Sequence, residues 1–269
     1  MKYLNLACGS IVINSNEWVN CDFSPLNKQI KQVNLLEKLP FQSNSFDLIY
    51  SSHFIEHISL DNLKSLLTEC NRVLKKNGRI RLVLPDFENI VKEYILNLNN
   101  EKILFSQFNI VELIDQCTRK FSGGQLSLWR SRASGNFELS EYIKKRTGLS
   151  PNLKSDQEGK FTLNRIKRAT PKKLYNKIQL LIYFKLMQLF PKWVKSNHIS
   201  FVMTGEQHLW MHDFNSILNF LQESGFGLVK KLDAYTSNIQ NFPLYPLDLT
   251  EDKLPNKGES SMYIEAQKL

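Results

Sequence analysis

Tyr3-Leu4-Asn5-Leu6-Ala7-Cys8-Gly9-Ser10, followed shortly by Trp18-Val19-Asn20-Cys21-Asp22, is the stretch on which the reading of the chain turns. An apolar run ends in a turn of small residues, and a second apolar run then ends in an acid, which is how a βαβ nucleotide-binding unit begins. Gly9 has no Cβ, and Ala7 and Ser10 carry little bulk, so a ligand can approach the backbone of the turn. Asp22, at the carboxyl end of the second strand, is placed to accept hydrogen bonds from a ribose diol. Taken alone, these residues fit an ordinary strand-turn-strand with a solvated Asp equally well, because a single short glycine motif is weak evidence.

The neighbouring segments extend the pattern. Lys31-Gln32-Val33-Asn34 reads as a third strand, and Pro40 prevents a helix through the following loop. Ser45 to Ser52 is a fourth strand whose small polar end suits the floor of a site at the carboxyl edge of a parallel sheet. From Leu60 to Lys76, Leu63, Leu66, Leu67, Cys70, Val73 and Leu74 recur at helical spacing, with Gly78 as the expected stop. Arg79 to Leu84 is a fifth strand, and Phe87 to Leu98 returns to helical periodicity. Near the other end, Asp213 is a candidate N-cap for a helix that stops at Gly225, and Val229–Leu232 and Ser261–Ala266 are the sixth and seventh strands. Strands alternating with helices in this way predict a doubly wound α/β fold.

Composition bounds the function. The 269 residues, 42% of them hydrophobic, suffice for one large domain carrying an insertion. Four cysteines show no paired spacing, so neither a disulfide framework nor a structural metal is expected, and no Cys/His/Asp set has metal-ligand spacing. With no secretory leader and no apolar run long enough to span a bilayer, a cytoplasmic location is the expectation. The net charge of +9 is uneven: from Thr118 to Ser200 there are 18 Lys or Arg against 4 Asp or Glu. That excess points to an anionic partner, its bland alternative being a solvated basic face. The expected organisation is a main domain of residues 1–113 and 201–269, with a basic, mostly helical insertion at 114–200 serving as lid or substrate-recognition element. Within the insertion, the apolar 171–190 segment reads as a lid helix, or alternatively as a peripheral membrane contact.

The ordered set Leu4 to Ser10, Asp22, Asn34-Leu35 with Leu39-Pro40-Phe41, Phe46-Asp47-Leu48-Ile49, Ser52 to His57 and Asn71 to Gly78 resembles class I S-adenosylmethionine-dependent methyltransferases. The resemblance covers about the first 95 residues. It implies a Rossmann-like, seven-stranded, mostly parallel sheet with an antiparallel last strand, and S-adenosyl-L-methionine as cofactor. Carried onto this sequence, Ala7, Cys8 and Gly9 pass the methionyl part, Asp22 binds the ribose, Asn34 and Leu35 border adenine, and Ser51 and Ser52 line the floor beside the sulfonium. Two departures stand out. Eight residues between Gly9 and Trp18 are too few for the usual crossover helix. At the adenine position, where many relatives carry an acid, this chain has Asn34.

Methyl transfer to a hydroxyl needs a base, and His53, Asp86 and His208 are the candidates. His57 is a weaker one, and Glu56 reads as solvated or ion-paired. Each candidate has an alternative: helix packing or capping for the histidines, an N-cap for Asp86. The cluster Glu206 to Asp213, in which Trp210 could stack on a ring, resembles a subgroup found with enzymes of surface-polysaccharide assembly. The resemblance therefore suggests a small-molecule or glycan acceptor, a hydroxyl of a sugar or phosphorylated precursor. A nucleic-acid methyltransferase would suit the basic insertion, but the fourth strand lacks the Asp/Asn-Pro-Pro-aromatic motif of amino-directed base methylation. A non-catalytic cofactor-binding scaffold is the third alternative.

Overall fold

Seven strands, β1 (Tyr3–Leu6), β2 (Trp18–Asp22), β3 (Lys31–Gln32), β4 (Phe46–Ser52), β5 (Leu74–Pro85), β6 (Phe226–Leu232) and β7 (Ser261–Lys268), pair in the order β3-β2-β1-β4-β5-β7-β6. Every pairing is parallel except those of β7, which runs antiparallel to both β5 and β6. The expected sheet, with its reversed last strand, is therefore present. The structure is a computed structural model that describes residues 1–150 and 206–269, with isolated positions between 179 and 189. The central strand β4 is buried on both faces, as a sheet covered on both sides requires: Phe46, Leu48, Ile49 and Tyr50 are all buried. The chain leaves β1 for β2 on one side and returns to β4 on the other, so the carboxyl ends of β1 and β4 flank the topological switch point.

One face is covered by α1 (Leu60–Val73) and α6 (Phe214–Glu223), whose Leu63, Leu67, Ile217 and Leu221 pack on Leu4, Leu6, Ile49 and Leu82. Ser59 caps α1 by accepting from the Asn62 N–H. The helix ends at Val73, earlier than expected, and Leu74 already belongs to β5. Gly78 does not stop the helix: it lies inside β5, where a Cβ would come within 2.8 Å of the Lys75 carbonyl oxygen, so close backbone approach explains the glycine.

The other face is covered by Ile11 and Ile13 and by Ile239, Phe242, Leu244, Leu247 and Leu249 of the segment between β6 and β7, which includes one short helical turn at Leu244–Leu247. The short first crossover is irregular, as its length predicts. Asn5 and Asn20 face each other across β1 and β2 and hold it down. Asn5 Nδ2 donates to the Ile11 carbonyl and to Asn20 Oδ1 at 3.0 and 3.1 Å, and Asn20 makes a reciprocal pair with the Ile13 backbone. Two buried amides thus satisfy a strap that replaces a helix. Beneath the β6–β7 loop, the fully buried Arg81 of β5 pairs with Asp248 at 2.8 Å and with Glu265 at 2.7 Å.

After β5, α2 (Phe87–Asn99), α3 (Ile103–Thr118), α4 (Gly124–Ala133) and α5 (Phe137–Thr147) form a helical layer with its own small core of Phe108, Ala133, Leu139 and Ile143. Residue 114, where the insertion is expected to begin, falls inside α3. Its far boundary, and the 171–190 segment apart from the isolated positions, lie outside the described residues. Among the described residues, no helix is long and apolar enough to cross a membrane.

Candidate active site

The β1 turn is built for close approach. Ala7 and Gly9 both take left-handed backbone conformations (φ 53° each), and a Cβ placed on Gly9 would meet nothing within 4 Å. For Ala7 this conformation is strained, roughly 1–2 kcal/mol held by the surrounding structure. The Cys8 N–H bonds the Cys21 carbonyl at 3.1 Å, drawing the turn over the end of β2. There Asp22 Oδ2 accepts from the Gly9 N–H at 3.0 Å and Oδ1 from the Ser24 N–H at 2.8 Å. An open glycine turn clamped to a strand-end carboxylate is a cradle that fits the methionyl and ribose parts of S-adenosylmethionine. Burial and the neighbouring Asp22 push the Cys8 thiol up to about 11, so it is neutral at physiological pH.

Asn34 is half-buried and closes its own loop, accepting from the Leu36 N–H at 3.2 Å and donating to Glu37 at 2.8 Å. The Leu35 side chain is committed to the hydrophobic core, so its backbone is what a neighbouring ligand can meet. At the end of β4, Ser51 is buried with a hydroxyl that has no hydrogen-bond partner, and Ser52 is half-buried.

His53 follows in a left-handed conformation (φ 51°) that turns it into the edge of the sheet. Its Nδ1 stands 3.3 Å from Glu56 Oε1 and its Nε2 3.0 Å from Ser261 Oγ, with 23% of the side chain exposed. Desolvation, reinforced by Lys257, His208 and His57, holds the imidazole well below its ordinary range. His208 lies on the far side of the same carboxylate, its Nε2 4.0 Å from Glu56 Oε1 and its ring edge-on to His57 at 4.6 Å. Burial, His57 and Arg119 lower it to about 3. Glu56 is 1% exposed, and burial pushes it up to about 8.

Asp86 is placed differently. It caps α2 by accepting from the Asn89 N–H at 3.2 Å and forms an ion pair with Lys231 at 2.6 Å. Its carboxylate is therefore occupied, and it borders a cavity of about 320 Å³ shared with Lys231, Asp233, Tyr235, Tyr263 and Ser261, the last of which also bonds His53. The backbone still ties it to the site, since the Asp86 N–H donates to the carbonyl of Ser260, next to Ser261.

The segment from Glu206 to Asp213 is stitched over this edge. His208 N–H donates to Gln116 of α3, Leu209 N–H to the Glu56 carbonyl, and the Phe87 N–H to the His212 carbonyl. Trp210 is 50% exposed and anchors nothing in the core, while Asp213 caps α6. The structure thus brings His53 and His208 together around Glu56 and sets Asp86 beside them in another role. Glu56, expected to be solvated or ion-paired, is instead buried at the centre of the cluster, and Lys257 and Ser261 were not among the expected site residues. The one available signal for Glu56 was its place in His53-Phe54-Ile55-Glu56-His57, beginning at a strand end.

Residues 15–82 match the family model described as a methyltransferase domain. The chain is 37% identical over 86 residues to phosphoethanolamine N-methyltransferase of Plasmodium falciparum, a match covering 32% of this chain and 30% of that one. It therefore spans less than a third of that relative's length. Among solved structures, a SAM-dependent methyltransferase from Thermotoga maritima aligns with 12% identity and a TM-score of 0.43, covering 100% of this chain and 82% of that one. A SAM-dependent methyltransferase from Archaeoglobus fulgidus aligns with 12% identity and a TM-score of 0.38 over 99% and 86%.

Proposed function

We propose that the protein is an S-adenosylmethionine-dependent methyltransferase acting on a small-molecule or glycan acceptor, a hydroxyl of a sugar or of a phosphorylated precursor used in surface-polysaccharide assembly. The observation that carries the reading is the Gly9 N–H held by the Asp22 carboxylate at the switch point of the sheet, Asp22 lying inside the matched methyltransferase domain. A phosphorylated acceptor is favoured by the basic stretch between Thr118 and Ser200 and by the relative named for methylating phosphoethanolamine. That stretch also suits a peripheral contact with an anionic membrane surface in the cytoplasm.

The cofactor supplies a methyl group already activated on a sulfonium, with its leaving group built in. What remains for the chain is orientation and, for a hydroxyl acceptor, proton removal. The backbone from Ala7 to Gly9 and the Asp22 carboxylate fix the ribose and methionyl ends. The Asn34 loop and the Leu35 backbone border the adenine, and the partnerless Ser51 hydroxyl, with Ser52, lines the floor. His53 acts as base once the acceptor hydroxyl replaces Ser261 Oγ at Nε2, with Glu56 fixing the ring from the opposite side. His208 supports Glu56 from behind, and Asp86 with Lys231 holds the start of α2 at the rim of the site.

The decisive experiment is transfer of a radiolabelled methyl group from the cofactor to a panel of sugars, sugar nucleotides, lipid-linked glycans and phosphorylated amino alcohols. Labelling of one class supports the proposal. Labelling of nucleic acid alone, or cofactor binding with no transfer to any of them, overturns it.

A further inference from the structure

The cluster beneath His53 holds a carboxyl group without a hydrogen-bond partner among the described residues, although His53 Nδ1 stands 3.3 Å from its Oε1. Glu56 is 1% exposed, and neither of its oxygens has a hydrogen-bond partner; His208 is 2% exposed, and its Nδ1 has none. Burying a carboxyl group in this state is unfavourable unless a cation or donor answers it. Its neighbours are donors of the right kind. One ligand atom each from Glu56, His57 and His208 lie within 4.8 Å of one another. His57 is also set as a ligand should be, since its Nδ1 bonds the Gln207 carbonyl at 2.9 Å and leaves the other ring nitrogen free with a fixed tautomer.

We propose that Glu56, His57 and His208 form a binding site for a divalent first-row transition-metal ion, Zn²⁺ or a close analogue. Two imidazoles and one carboxylate suit such a cation and disfavour Mg²⁺ or Ca²⁺, which take oxygen ligands. In a tetrahedral zinc site with bonds of about 2.0–2.1 Å, neighbouring ligand atoms stand about 3.4 Å apart. The present separations therefore close by side-chain shifts on the order of an ångström. Three protein ligands leave a position open, the arrangement of a reactive rather than a purely structural site. The backbone is already fixed around it: the Glu56 carbonyl accepts from Leu209, and Gln207 Nε2 donates to the Cys117 carbonyl at 2.9 Å. His53 borders the site, as do two cations, Lys257 and Arg119, the latter held by Asp115 at 2.6 Å. Lys257 is the competing answer to the Glu56 charge. The metal also reaches across the fold, joining the end of β4 to the segment that follows the basic insertion.

The test is binding by the resting protein and does not depend on methyl transfer. Protein stripped with a chelator is titrated with Co²⁺ while the visible d–d absorption is recorded, and elemental analysis after dialysis against Zn²⁺ gives the stoichiometry. One ion per chain is expected, with cobalt bands displaced by Zn²⁺ and a rise in thermal midpoint on metal addition. His57→Ala and His208→Ala should each weaken binding by at least about 100-fold, the upper end of what outer-shell changes alone cost. Glu56→Gln, close in shape, guards against loss of fold and should also abolish the cobalt spectrum. Absence of stoichiometric metal in folded protein, or binding untouched by all three substitutions, overturns the proposal and leaves Lys257 as the partner of Glu56.

Discussion

Replacing Asp22 by alanine tests the cofactor site at its most exposed joint. The carboxylate already accepts from Gly9 and Ser24 with one lone pair of each oxygen, at 3.0 and 2.8 Å, which leaves the remaining lone pairs for the two ribose hydroxyls. A hydrogen bond to a charged group contributes about 1.5–3 kcal/mol, so losing both ribose contacts removes roughly 3–6 kcal/mol of binding. At about 1.4 kcal/mol per factor of ten, the lower end is already about 100-fold in affinity. Asp22→Asn keeps one acceptor oxygen and loses the charge, so it should fall between wild type and Asp22→Ala. The assay is calorimetric titration with S-adenosylmethionine and its demethylated product, beside thermal melts that establish an intact fold. Should Asp22→Ala bind within threefold of wild type, the ribose assignment and the reading of the β1 turn as a cofactor cradle are both refuted.

His53→Ala should lower the rate of methyl transfer by about 10²–10⁴-fold while leaving cofactor affinity unchanged, which single-turnover assays would separate; an unaltered rate removes His53 as the base. Arg81→Leu leaves Asp248 and Glu265 buried without their cation, and urea denaturation at pH 7 should show a loss of about 3–5 kcal/mol. Burial already pushes Asp248 up to about 6, and without Arg81, whose charge opposes that rise, its carboxyl takes up a proton more readily. A group whose folded pKa is raised loses its stability contribution as pH rises through that value, so the deficit should shrink at pH 5; a pH-independent deficit contradicts this. His212 is buried and held down to about 4, below its unfolded value near 6.5. Folded protein thus resists its protonation, and stability should fall by up to roughly 3 kcal/mol as pH drops from 6.5 to 4. His212→Gln should flatten that part of the pH profile of the urea midpoint.

Much of the sheet was legible because its strands obey simple rules. Phe46 to Tyr50 reads as a buried strand from composition alone, and the short span from Gly9 to Trp18 foretold an irregular crossover. What replaces the helix there was not legible: Asn5 and Asn20 look like unremarkable polar residues until the register of β1 and β2 sets them opposite each other. Gly78 was misread because a glycine after a helical pattern suggests a cap, whereas here the close Lys75 carbonyl requires it. In the site, local features such as the Ala7–Gly9 turn and the cap at Asp86 follow from neighbouring residues. The pairing of His53, Glu56 and His57 with His208, Lys257 and Ser261 depends on segments some 150 to 200 residues away, which no local spacing reveals.

The insertion of β7 between β5 and β6 has a consequence for how the chain reaches its fold. One edge of β5 is completed only by the antiparallel pairing that runs from Arg79 with Gln267 to Pro85 with Ser261. During synthesis at about 5–20 residues per second, that edge waits on the order of tens of seconds for its partner. An unpaired central strand is a template for association with other chains. Arg79 and Arg81 place two positive charges on this strand, and until Asp248 and Glu265 arrive, Arg81 is an unneutralised guanidinium in an otherwise apolar run. The guanidinium that ends in a buried ion pair in the finished protein thus serves, while still unpaired in the nascent chain, as a gatekeeper against aggregation.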